Sequence, residues 1–218
     1  MKPTRSFVFV AVLAAGTALV AQTPASRPLS PNGIASAHVQ GKWEKTEREQ
    51  FTLGGERYVG GNWIDITYGR PMLRGREAFT GTGAEYGKAA YAGAPVWRAG
   101  ANLSTRLKNA IPLQIGNTKV AAGEYSLFIE LNSPTQWTFI VSNWAQAQRF
   151  NAPISEGLYG AFNYTPEKDV VRAPMKVDTL PYQVEQLTWM FTDMTAEGGR
   201  MAVMWDRTVA SVPFRVER

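Results

Sequence analysis

The chain contains no cysteine and a single histidine, His38, among its 218 residues. The first absence removes thiolate nucleophiles, disulfides and cysteine-held metal centres. The second leaves His38 as the only imidazole for a Ser-His-Asp relay, and no nucleophile-elbow sequence accompanies it. A zinc site needs further nitrogen or sulfur ligands, and no Asp-x-Asp-x-Asp run offers calcium its clustered oxygens. The expectation is therefore no metal and no cofactor, with His38 a surface imidazole on an early strand. Basic runs are missing too. The formal charge is +5, with nothing that would track a phosphate backbone, so nucleic acid is not an expected partner. Gly81-Thr82-Gly83 is no nucleotide fingerprint, because the third glycine is mis-spaced and no strand-to-helix pattern surrounds it.

The first residues read as an address rather than as fold. Lys2 and Arg5 make a positive start, Phe7 to Val20 is an apolar run, and small residues follow, with Ala21 the last residue removed. That is the plan of a secretory signal peptide over 1–21. The run is shorter than the roughly 20 residues of a membrane span, and Pro24, Pro28 and Pro31 come soon after. The expectation is an exported protein, periplasmic or extracellular, with no membrane span after cleavage. No cysteine near the cleavage point offers a lipid anchor.

What is abundant points to strands. There are 7 Trp, 8 Tyr and 10 Phe, broken by 20 Gly and 13 Pro, a balance that suits short strands and turns. Residues 22–40 read as a leader and first strand, and 41–218 as a single β domain. Within it, 41–62 alternates in charge sign and breaks at paired glycines, as a solvated hairpin or loop. Trp63 to Tyr68 alternates as a half-buried strand and Pro71 ends it. Ser104 to Asn109 and Ile111 to Ile115 repeat the period. Tyr125, Leu127, Ile129 and Leu131 line one face of the clearest strand. Asn132 to Thr135 turns it, and Trp137, Phe139 and Val141 return. Trp144 to Phe150 reads as one helical turn. Asp169 to Val177 reads as an edge strand because of Pro174, and Val184 to Met194 as a separate long strand. Met201, Val203 and Trp205 run back, and Val212, Phe214 and Val216 close the chain. The fold class is all-β: an antiparallel β-sandwich or flattened barrel of about nine strands, with little helix.

The candidate site is rich in arginine. Arg70, Arg74, Arg76 and Arg98 fall within 29 residues, each beside Gly or Pro or next to a residue that is. A guanidinium presents a rigid donor fork for carboxylate, phosphate or sulfate. Trp97 can stack on a sugar ring or a guanidinium, and Asn102 offers both donor and acceptor. Thr105 follows closely, and Asp169 with Arg172 supplies a further charged pair. These residues suit a pocket for a small anionic or carbohydrate ligand. They equally suit a scaffold in which arginines hold loop carbonyls and Asn102 caps a turn.

Several of these stretches follow one another in order: Ile66-Thr67-Tyr68-Gly69-Arg70-Pro71, Arg74-Gly75-Arg76, Trp97-Arg98-x-Gly100-Ala101-Asn102-x-x-Thr105 and Ala122-Gly123-Glu124-Tyr125-Ser126-Leu127. Together with Ser30-Pro31, Trp137 and Asp169-Val170-Val171-Arg172, this string resembles the exported bacterial family DUF2911, over roughly residues 30–180. The resemblance implies a signal peptide and a mainly β domain, and it implies no reaction, so no catalytic residue is carried over. The chain departs from the family pattern in the 41–62 insertion and in the long Phe79 to Pro95 loop. Where that loop lids a site, ligand preference here differs.

Three functions fit these residues. The first is a non-enzymatic binder of a small ligand at Arg98–Asn102. The second is a glycan-directed hydrolase using carboxylates, although nothing in the spacing of Asp65, Glu77, Glu85, Glu124, Glu130 and Asp169 selects a pair. The third is a structural or assembly protein of the cell envelope.

Overall fold

The fold comes from a computed structural model and is described over residues 28–46 and 55–216. The signal-peptide stretch, residues 22–27 and residues 47–54 of the charged stretch lie outside the described residues. The strands are β1 (Asn32–Val39), β2 (Lys42–Lys45), β3 (Glu56–Val59), β4 (Asn62–Gly69), β5 (Thr105–Asn109), β6 (Leu113–Ile115), β7 (Thr118–Val120), β8 (Gly123–Ser133), β9 (Gln136–Ser142), β10 (Asp169–Thr195) and β11 (Gly198–Val216). A 3-10 turn (Gly83–Glu85) and one short α-helix, α1 (Lys88–Tyr91), lie in the long Phe79–Pro95 loop. The protein is all-β, as the alternation predicts.

Nine strands form one open antiparallel array in the order β1-β4-β5-β8-β9-β10-β11-β6-β7, and β2 pairs β3 separately. Of the two forms expected of residues 41–62, hairpin or loop, this pair is the first. The array folds over at β10. The first part of β10 pairs β9 from Asp169 to Met175, and the rest pairs β11 from Lys176 onward. The two halves thus face one another across a common core, and Phe139 of β9 meets Trp189 of β10 at 6.4 Å between ring centres. This is a sandwich with a shared strand rather than a closed barrel.

Two expectations about β10 need correcting. Asp169–Val177 and Val184–Met194 are one strand, carried across Pro181 by a register shift between Thr179 and Val184. Nor is β10 an edge strand, since β9 and β11 flank it. Pro174 is tolerated because it precedes the start of β11 pairing, so β10 has one neighbour there. Trp144–Phe150 is not helical: Gln146 bridges Leu158, with Ala147 N donating to Leu158 O at 2.9 Å.

Period two explains the inner face. Ile64 and Ile66 of β4, Leu107 of β5, Leu127 and Ile129 of β8 and Phe139 of β9 are fully buried in the main core. The centre of β8 and β9 is also buried on its other side. Phe128 and Ile140, cross-strand partners, point outward into a second cluster with Val96, Trp144, Leu158 and Tyr164. Loops 92–104 and 143–168 therefore cover the outer face, and those loops build the candidate site.

Candidate functional site

Loop 96–105 starts as an extra strand residue. β5 pairs β8 only as far as Leu127, and Trp97 takes the vacated place at Ile129 through two backbone hydrogen bonds of 2.9 and 2.8 Å. Side chains then alternate. Trp97 is 1% exposed and points inward, parallel to Trp205 at 6.2 Å and edge-on to Phe79 and Trp137. Arg98 points outward into the loop layer. Thr105 is also inward: its hydroxyl donates to Ala99 O at 3.1 Å, and Trp189 Nε1 donates to the same carbonyl at 2.9 Å. The two side chains clamp a carbonyl from a residue held at φ 47°.

Arg98 is 9% exposed. Its Nη1 donates to Asn102 O at 2.6 Å, and its guanidinium lies 5.3 Å from the Phe162 ring centre. Gly160 makes room for it: a Cβ there would collide with the guanidinium, and φ of 66° already favours glycine. Burial pushes the Arg98 pKa down, offset in part by Tyr159. Among the described residues no carboxylate pairs with it. Asn102 is exposed in a left-handed turn at φ 62°.

Beside this loop lies an open cleft of about 350 Å³ between β1, β4 and residues 101–104. Asn32, Ile34, Thr67, Leu103, Ser104 and Gln146 supply a mixed polar and apolar lining. Its far wall is tied down from behind. Ser104 Oγ donates to Gly160 O at 2.5 Å, and Gln146 Nε2 donates to Ser104 O at 2.7 Å. Arg106 pairs with Thr67 across β5 and β4, and its Nη1 donates to Ser126 Oγ at 2.9 Å and Trp144 O at 3.1 Å. Burial also lowers the Arg106 pKa, which the charge of Glu124 partly offsets.

The remaining predicted residues separate into two places. Arg70 stands at the end of β4, where its N–H donates to Pro31 O at 2.9 Å. Its stem lies against Gly33, where a Cβ would sit 2.5 Å from Arg70 Cδ. Its Nε is buried without an acceptor. Arg74 and Arg76 are exposed; Arg76 Nε and Nη2 hold Leu73 O and Met72 O, both at 2.9 Å, while Arg74 N donates to Glu185 Oε1 at 2.8 Å. Asp169 and Arg172 form a network on the outer face that leaves Asp169 Oδ1 buried without a donor among the described residues. Tyr164 OH donates to Asp169 Oδ2 at 2.6 Å, and Arg172 bridges Asp169 at 3.0 Å and Glu130 at 2.5 Å. Partial burial works against the Arg172 charge, but Asp169 and Glu130 raise its pKa overall. Burial first, then Asp169, pushes the Tyr164 phenol well up. The structure thus brings Arg70, Arg98 and Asn102 to the surroundings of one cleft. It puts Trp97 and Thr105 in the core and Arg74, Arg76, Asp169 and Arg172 elsewhere.

Residues that sequence reasoning passed over include Thr67, Ser104, Arg106 and Gln146. Alternation along β5 marks Arg106 as outward-facing, but not that loop 143–168 covers it. His38 also faces outward, stacked on Trp63 at 4.4 Å and edge-on to Tyr58 at 5.1 Å. Among the described residues, no three His, Asp or Glu side chains converge on a metal position. No helix among them is long and apolar enough to cross a membrane.

An open antiparallel β-sandwich, with a loop-built cleft on the outer face of its larger layer, defines the class. The chain belongs to the family described as a protein of unknown function, DUF2911, whose model matches residues 53–214. No curated protein and no solved structure matches it.

Proposed function

We propose that the protein is exported and acts as a binding protein, holding a small anionic or sugar-like molecule in the outer-face cleft beside Arg98–Asn102. The observation that carries this reading is the cleft itself. At about 350 Å³ it falls in the size range of small-molecule sites, and such sites mix apolar walls with a few placed polar groups. Thr67 and Gln146 supply hydrogen-bonding groups, and Ile34 and Leu103 supply apolar contact. Its lining includes no carboxylate, so paired-acid glycan cleavage has nothing there to support it.

The test is thermal shift against sugars, organic acids and phosphates. A ligand in the cleft raises the melting temperature of the wild type by mass action. Thr67→Trp fills the cleft from an exposed strand position where tryptophan is a good strand former, and it should abolish the rise without lowering the unliganded melting temperature. A wild type that no member of the panel shifts defeats the reading. Export is tested separately: the chain recovered from the periplasm or medium should begin at Gln22, and retention of Met1 contradicts cleavage.

A further inference from the structure

Three arginines lie next to residues that line the cleft, outside the lining itself, and none is paired with an acid among the described residues. Arg70 runs against Gly33, a lining residue. Arg98 holds the carbonyl of Asn102, which lies between the lining residues Ala101 and Leu103. Arg106 is the cross-strand neighbour of the lining residue Thr67 and bonds only neutral oxygens. Exposed arginines are mixed in this respect: Arg76 and Arg207 also hold only carbonyl oxygens, whereas Arg149 and Arg172 both sit in ion pairs. Asp65, two residues before Thr67 on β4, already accepts Ser36 Oγ at 2.6 Å and faces Lys108 across the strand pair.

A protein gains nothing in stability by burying cations without counter-charges, since desolvation goes uncompensated. Low-dielectric walls carrying one sign of charge concentrate their field in the adjoining opening. Arg70 is the group with unused donors: its side chain makes no hydrogen bond among the described residues, and because its Nε is buried, the Nη groups are the end that a ligand reaches. The two Nη groups of a guanidinium form a fork that takes a carboxylate or phosphate in two parallel hydrogen bonds.

Resting on the cleft reading above, we infer that the cleft selects an anion: a small carboxylate- or phosphate-bearing molecule whose charged group meets Arg70 while Arg98 and Arg106 supply the surrounding positive field. A neutral sugar would leave all three charges unanswered.

The test is NMR on the ¹⁵N-labelled full chain, following backbone amides and arginine Nε–H signals during titration with citrate, inorganic phosphate and glucose. The expected result is saturable movement of the Arg70 Nε–H signal and the Thr67 amide with citrate or phosphate, weakened by added sodium chloride, and none with glucose. The citrate and phosphate arms separate the two sources of anion. Arg70→Gln should weaken binding on the order of tenfold, the usual scale for one charged hydrogen bond, and Arg70→Lys should recover part of it. Glucose binding that Thr67→Trp blocks, with no response to either anion, overturns the anion inference and leaves the cleft reading standing. No response to any of the three overturns the inference and, with the thermal-shift panel silent, the cleft reading too. Movement of the exposed Arg74 and Arg76 signals in parallel with Arg70 overturns it as general surface association. Anion binding that survives Thr67→Trp overturns both.

Discussion

The two faces of the larger layer are covered by different means. The inner face meets the β10–β11 half of the sandwich through interlocking aliphatic and aromatic side chains such as Leu127, Phe139 and Trp189. The outer face meets loops, and its cover joins the apolar cluster around Phe128 and Ile140 to polar side chains on loop carbonyls: Ser104 on Gly160, Arg98 on Asn102, Trp144 Nε1 on Thr165. A sheet-on-sheet core is close-packed and leaves no room for a guest. A loop cover must satisfy its own backbone polar groups, so it carries buried polar and charged groups and leaves openings between segments. The cleft lies on the second kind of surface.

The largest expected effect breaks the inner face. Phe139 is fully buried between the two layers, and Phe139→Ala should cost about 3–5 kcal/mol in urea unfolding, through lost transfer energy and the cavity left behind. A cost near 1 kcal/mol would mean that the layers do not depend on one another as the shared core requires. The outer counterpart is Arg98. Arg98→Ala empties the space over Gly160 and strips Asn102 O of its donor, for about 2–3 kcal/mol. Arg98→Met refills much of that volume without the charge, and should cost less than about 1.5 kcal/mol. If Met is as costly as Ala, the guanidinium's hydrogen bond and ring contact hold the loop, rather than its bulk.

This contrast also explains what the sequence revealed. Tyr125, Leu127, Ile129 and Leu131 announce the inner face by strict alternation, because one side of that strand meets one continuous surface. Phe128 and Ile140 fall out of phase with that pattern, and their partners come from loops 92–104 and 143–168, which have no period to read. Arg98 and Asn102 stood out by residue type. Their directions did not, because these depend on Trp97 taking the β5 position beside Ile129. Arg106 was legible as outward-facing and its burial was not, since the segment that covers it lies some forty residues downstream. Pro174 signals a missing neighbour correctly but only locally, where β10 has yet to meet β11.

The smallest expected effect sharpens the comparison through pH. Burial raises the phenol pKa of Tyr86 and Tyr91, which pack on the main core, and burial together with Asp169 raises that of Tyr164, which packs in the outer cluster. A phenol whose folded pKa is raised favours the neutral form in the native state. Its contribution is intact below the unfolded value, about 10. It is lost as pH climbs through that value toward the folded one, because the unfolded chain then releases protons that the native state retains. Urea midpoints should therefore hold between pH 7 and 9 and fall above pH 10. Tyr164→Phe should lower the unfolding free energy at pH 8 by about 1.5 kcal/mol, the lower end for a hydrogen bond to a charged group such as Asp169. It should also make the alkaline fall less steep, by removing one of the three phenols. Tyr91→Phe, which takes away the hydroxyl that accepts Leu131 N at 2.7 Å, gives the inner-face comparison. If Tyr164→Phe leaves the alkaline slope unchanged while Tyr91→Phe flattens it, the outer cluster opens to solvent before the core does, and the loop cover is the weaker of the two faces.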